Sequence, residues 1–99
     1  MIAPQTVCFD RYVVDTLLPD LVGHDHRPSA FLVYLVIAGA GPGRIALSLG
    51  ELAERCGISR RSAQDAVALL ARRGLLEITR RGPTEPAAYR AMGPWRRAG

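Results

Sequence analysis

The sequence predicts an α+β fold, mainly helical, in which a short strand-helix extension precedes a compact helical domain that ends in a β-hairpin. Three observations carry this expectation. Apolar residues recur at helical spacing in successive stretches, each bounded by Pro, Gly or a capping residue. Two short runs near the C-terminus, residues 75–79 and 88–92, have strand length and flank a turn rich in Pro and Gly. The chain has 99 residues, 48% of them apolar, which is enough for one modest core.

Taken in order, residues 6–9 are β-branched and aromatic, which predicts a brief strand. Asp10 is placed to cap a helix with Val13, Val14, Leu17 and Leu18 on one arc. Pro19 has no N–H to donate, so that helix is expected to end or kink there, with residues 22–27 as a loop. A second helix is expected over 28–38, with Pro28 in its first turn. Residues 31–37 are apolar on every side, so this helix needs more than one packing partner. The Gly/Pro run 39–43 breaks it, and 45–47 is a short strand. Ser48 and Glu51 have the spacing of a capping box, opening a helix with Leu49, Leu52, Ala53 and Cys56 on one face. Gly57 suits a left-handed turn, and Ser59 can cap the next helix, over 60–73, which buries Ala63, Ala66, Val67 and Leu70. Gly74 ends that helix, and the hairpin follows. The expected division is an extension over 1–27 and a folded domain over 28–99.

Charge is unevenly placed. The thirteen cations are all Arg, against nine acids, for a net charge of +4. Residues 1–50 carry three Arg and four Asp, a net of −1, and residues 51–99 carry ten Arg and five acids, a net of +5. A basic half within an apolar, foldable chain predicts one face made for a polyanion. Arg-only usage also fits a G+C-rich coding bias, so placement and not residue choice carries the argument. Cys8 and Cys56 are too few for a disulfide scaffold or a four-ligand zinc site, and read as reduced core thiols of a cytoplasmic protein. No secretory signal is visible, and the longest apolar run, 30–40, is about half the ~20 residues of a membrane span. No membrane partner is expected.

Leu52-Ala53, Cys56-Gly57-Ile58 and Ala63…Val67 have the spacing of a helix-turn-helix. Ala53 is small where two helices cross, Gly57 takes the turn, and Ile58 plugs the corner. With a helix before and a hairpin after, the stretch LSLGELAERCGISRRSAQDAVALLARRGLLEITRRG resembles the winged helix-turn-helix superfamily of bacterial DNA-binding proteins. Compact replication-initiator-like and MarR-like domains are the nearest look-alikes, over about residues 28–92. The resemblance implies a small transcriptional regulator that binds double-stranded DNA, or a replication-associated DNA-binding protein of a plasmid or phage. The sequence shows neither the long C-terminal helices of MarR-type regulators nor the effector domain of GntR-type ones, so no small-molecule effector is expected.

In that superfamily the helix after the turn enters the major groove. Opposite its buried face the wheel places Arg61, Asp65, Ala68 and Arg72, with Gln64 on one flank. Arg60, Arg61, Gln64 and Asp65 occupy the first two turns, where Arg pairs with guanine and Gln with adenine. Ser59 and Ser62 suit phosphates at the helix N-terminus. Asp65 follows Arg61 by four residues, and orienting that Arg is favoured over accepting from a cytosine. Arg80 and Arg81 lead into a wing suited to backbone or minor groove, and Arg90 returns on the second strand. Arg72 and Arg73 fit phosphate contact and helix-dipole complementation equally well.

The remaining features favour plain roles. His24-Asp25-His26 offers metal ligands but no further His or Cys cluster, so a polar surface loop is expected and no metal or other cofactor. Trp95 is expected to pack on the domain and not to stack on a base. No nucleophile–base pair and no phosphate-binding loop is present, so an enzyme is not expected. The rival class is a winged-helix protein-interaction module. A homodimer is expected, because one module makes few contacts and the N-terminal half offers apolar surface.

Overall fold

The computed structural model describes residues 5–41, 43–80 and 82–97, and of 96 and 97 the backbone only. After the N-terminal extension come α1 (Pro28–Gly39), β1 (Ile45–Ala46), α2 (Leu49–Cys56), α3 (Arg60–Arg72), β2 (Leu76–Thr79), β3 (Ala88–Ala91) and a closing 3₁₀ turn (Pro94–Arg97). The chain is thus mainly helical with a small antiparallel sheet of order β1-β3-β2, the α+β winged-helix architecture expected.

The extension differs from expectation in two ways. Residues 6–9 form no strand. They pair with no strand of the sheet and lie instead along the end of α1. A Cβ on Gly39 would sit 3.6 Å from Val7 Cγ1 and 3.8 Å from Phe9 Cζ. Nor does Pro19 end the helix. The backbone winds as wide π-type turns over Val13–Leu17 and again over Pro19–His24, so Val22–His24 is helical where a loop was expected. Pro19 is tolerated because it opens the second piece, where its missing N–H breaks no bond of that piece. The wide winding shows in the bond from the Leu18 N–H to the Val13 carbonyl, five residues back. Val13, Leu17 and Leu21 share one buried face.

That face joins the single core. Its largest fully buried side chains are Leu21, Val33, Ile37, Leu52 and Leu70, drawn from the extension, α1, α2 and α3. Helix α1 packs against α2, α3, β3 and the extension together, which is why it is apolar all round. Full burial of a side chain such as Leu52 contributes about 1.5–3 kcal/mol. The Tyr34 hydroxyl donates to the Met92 carbonyl at 3.1 Å, fastening α1 to the end of β3. Trp95 stacks on Tyr12, with ring centroids 4.5 Å apart, and donates its Nε1–H to Asp10 at 2.9 Å. The packing role expected for Trp95 is therefore the observed one.

The helix-turn-helix follows its sequence signals closely. Ser48 and Glu51 form the reciprocal capping box, each bond 3.1 Å. Gly57 takes φ +68°, and the Ile58 N–H reaches back to the Ala53 carbonyl at 3.0 Å. This closes α2 with a Schellman turn and sets half-buried Ile58 against the core. Gly74 (φ +71°) repeats the device after α3, with the Leu75 N–H bonded to the Leu70 carbonyl at 2.9 Å. The chain leaves α3 directly into β2.

Candidate nucleic-acid interface

Helix α3 presents its outer face as the wheel predicts: Arg60, Arg61, Gln64, Asp65, Ala68 and Arg72 are exposed, while Ala63, Ala66, Val67 and Leu70 are buried. Its start is fixed by Ser59, whose Oγ accepts the Ser62 N–H at 3.0 Å and donates to Ser62 Oγ at 2.9 Å. The two serines, expected as phosphate contacts, are joined to each other in the cap, and Ser62 is half-buried. Ser59 remains exposed at the helix N-terminus, where N–H groups and the helix dipole favour an anion.

The hairpin folds towards α3 and leaves a groove of about 550 Å³ between them. Arg60, Gln64 and Ala68 line its helix side, and Arg80 with Pro83–Pro86 lines the wing side. Leu47, Val67, Ala87 and Tyr89, all buried, also line it. Arg60, Gln64 and Arg80, expected from sequence to act together, are brought together here. Arg81 lies outside the described residues. Tyr89 was missed by sequence reasoning, since a Tyr on a strand carries no signal for which wall it will line. Burial pushes its phenol upward, and the Arg80 charge opposes part of that shift.

On the crest of α3, Arg61 Nε lies 3.8 Å from Asp65 Oδ2, with side-chain exposures of 86% and 58%. An exposed i,i+4 pair of this kind is worth about 0.3–0.5 kcal/mol. A good bidentate contact from Arg to guanine is worth about 1–3 kcal/mol of discrimination, so a pair this weak would not hold Arg61 back from such a contact.

A sequence model of the MarR family matches residues 26–84, more than half of the chain, from the junction before α1 to the tip of the hairpin. The chain belongs to the MarR family. That is a family of winged-helix, DNA-binding transcription regulators. No curated protein and no solved structure matches the chain.

The remaining arginines of this MarR-family chain divide by partner. Arg73, for which phosphate contact and dipole complementation were both open, donates to Asp20 and to Asp25 across the α3–extension contact. Asp25 also lies 3.0 Å from His24 Nδ1. The His24 hydrogen bond, and then the Arg73 charge, hold the Asp25 carboxyl below the usual range. Donor atoms of Asp20, His24 and Asp25 lie within 4.8 Å of one another, but the Arg73 guanidinium is bonded to both carboxylates and already supplies the positive charge. His26 stands outside this cluster. Arg90 is likewise occupied: it and Arg44 converge on Glu77, at 3.0 and 2.8 Å, bracing the sheet away from the groove. These two cations hold the Glu77 carboxyl below its ordinary range, with the Arg44 hydrogen bond the larger cause. Cys8 is exposed and not in the core, and Cys56 is half-buried, where burial pushes its thiol up. Among the described residues, no helix is long and apolar enough to cross a membrane.

Proposed function

We propose that this chain is a small bacterial transcriptional regulator that binds double-stranded DNA sequence-specifically, with α3 in the major groove and the hairpin as wing. The single observation that carries this reading is the distribution of cations without carboxylate partners. Arg60, Arg72 and Arg80 flank the outer face of α3 with no ion pair among the described residues, whereas Arg44, Arg73 and Arg90 are engaged within the fold. Unpaired guanidinium groups along one exposed helix face and the wing beside it match the phosphates that border a groove. Arg61 and Gln64 are the base readers, Arg60, Arg72, Arg80 and Arg81 hold the backbone, and Ser59 adds a contact at the helix start. Asp65 positions Arg61, and Ala68 keeps the crest low enough for close approach.

The chain acts as a homodimer in the bacterial cytoplasm. Exposed Val7, Phe9, Val14 and Leu32, all in the N-terminal third, support a self-contact remote in sequence from the basic half. The test is selection of bound sequences from random duplex DNA, read at two salt concentrations. An enriched palindrome establishes specific, dimeric binding. Retention without enrichment reduces the reading to non-specific backbone binding, and no retention at low salt transfers the face to a protein partner.

A further inference from the structure

Arg60 and Arg80 are not the only cations beside α3 that lack a carboxylate. Arg27 and Arg72 share that property among the described residues, and both line a second cleft, of about 500 Å³. This cleft lies between α3 and the extension, and its other walls are Asp25, Asp65, Ala68, Leu69 and Arg73. Ala68 lines both this cleft and the wing groove, so the two open on either side of one crest. The acids here are engaged: Asp25 with Arg73 and His24, Asp65 beside Arg61. Arg27 and Arg72 remain.

Arg27 is set in place by its backbone. It is the last residue before Pro28, its N–H donates to the Leu21 carbonyl at 2.8 Å, and Leu21 is fully buried. His26 just before it turns the chain with φ +55°. The Arg73 bridge to Asp20 and Asp25 clamps this stretch to the end of α3. An exposed side chain is thereby delivered from a fixed base to the flank of α3 opposite the wing.

We infer that Arg27 and Arg72 form a second phosphate-binding site, which grips the DNA strand on the far side of α3 from the wing. This rests on the reading of α3 as the groove helix. The major groove is about 12 Å wide and a helix with its side chains about 10–12 Å across, so both bordering strands lie against the helix flanks. Arg60 and Arg80 meet one strand; Arg27 and Arg72 meet the other. The partner is the phosphate backbone of duplex DNA, contacted without regard to base.

Binding of the full chain to a labelled random-sequence duplex, followed by anisotropy over a salt series, tests this. Arg27→Ala should weaken binding several-fold and flatten the plot of log K against log salt by about 0.9, and Arg27→Ala with Arg72→Ala by about 1.8. Arg27→Lys should restore the slope, which a lost fold could not do. If Arg80→Ala flattens the slope and both Arg27→Ala and the double variant leave it unchanged, the second site is wrong and the wing reading stands. If the unaltered chain shows no salt-dependent binding, the groove-helix reading fails, and the second site with it.

Discussion

The aspartates of the extension and the arginines that flank α3 differ in how their charge is met. In the extension each aspartate has a partner: Asp10 takes Trp95, Asp15 takes Arg11 at 2.9 Å, and Asp20 and Asp25 take Arg73. Along α3 and into the wing, Arg60, Arg72 and Arg80 are left with none among the described residues. The contrast is sharpest at adjacent positions, since Arg73 joins two elements while Arg72 faces solvent. Matched charge holds the fold together, and the unmatched charge along α3 is what the proposed interface rests on.

Four predictions press on this contrast. The largest effect falls on the structural side: Leu21→Ala removes a fully buried side chain of the extension and should cost about 2–5 kcal/mol in a denaturant melt. A loss well under 1 kcal/mol would mean that residues 1–27 form a separate unit and not part of one cooperative core. On the binding side, Arg61→Ala should cost about 1–3 kcal/mol at a selected site and far less on random duplex. Equal losses on both would move Arg61 from base reader to phosphate contact.

Smaller effects sharpen the role of the clamp. Arg73→Ala should lower stability by roughly 0.2–1 kcal/mol, the range for exposed ion pairs, because solvent screens a side chain one-third exposed. It should leave the stability contribution of the Glu77 cluster untouched, and a double-variant cycle with Arg44→Ala that departs from additivity would contradict this. The least effect is a pH dependence. Asp25 has a folded-state pKa depressed first by His24 and then by Arg73, so its contribution is present above the unfolded value, near 3.9, and is lost as pH falls through the lower folded value. The gap in melting temperature between the unaltered chain and Asp25→Asn should hold steady above about pH 5 and close in stronger acid. A gap that widens in acid would reverse the sign assigned to the clamp.

The helix-turn-helix was legible because its determinants are local. Ser48 and Glu51 are three residues apart, Gly57 acts on its own φ, and the α3 wheel needs only a period. What escaped the sequence depends on distance. Arg73 and its carboxylates are 48 and 53 residues apart, and nothing near Arg73 distinguishes it from Arg72. Residues 6–9 have strand chemistry, but Val7 and Phe9 sit against the end of α1 at Gly39, thirty or more residues away in sequence, a contact that only the fold reveals. The local rule for Pro19 allows a stop or a kink, and burial of Val13, Leu17 and Leu21 on one face decides between them by carrying the divided helix past it. The wing groove was legible by its cations and not by Tyr89, because the wall that a strand residue faces is set by the register of β3 with β2.

Trp95 is the single tryptophan of the chain, and it sits on Tyr12 and Asp10. Its fluorescence therefore comes from one address, the seam where the last turn meets the first helical residues. During a titration with DNA or a thermal ramp, that emission reports whether the seam opens before the core melts, with no label attached.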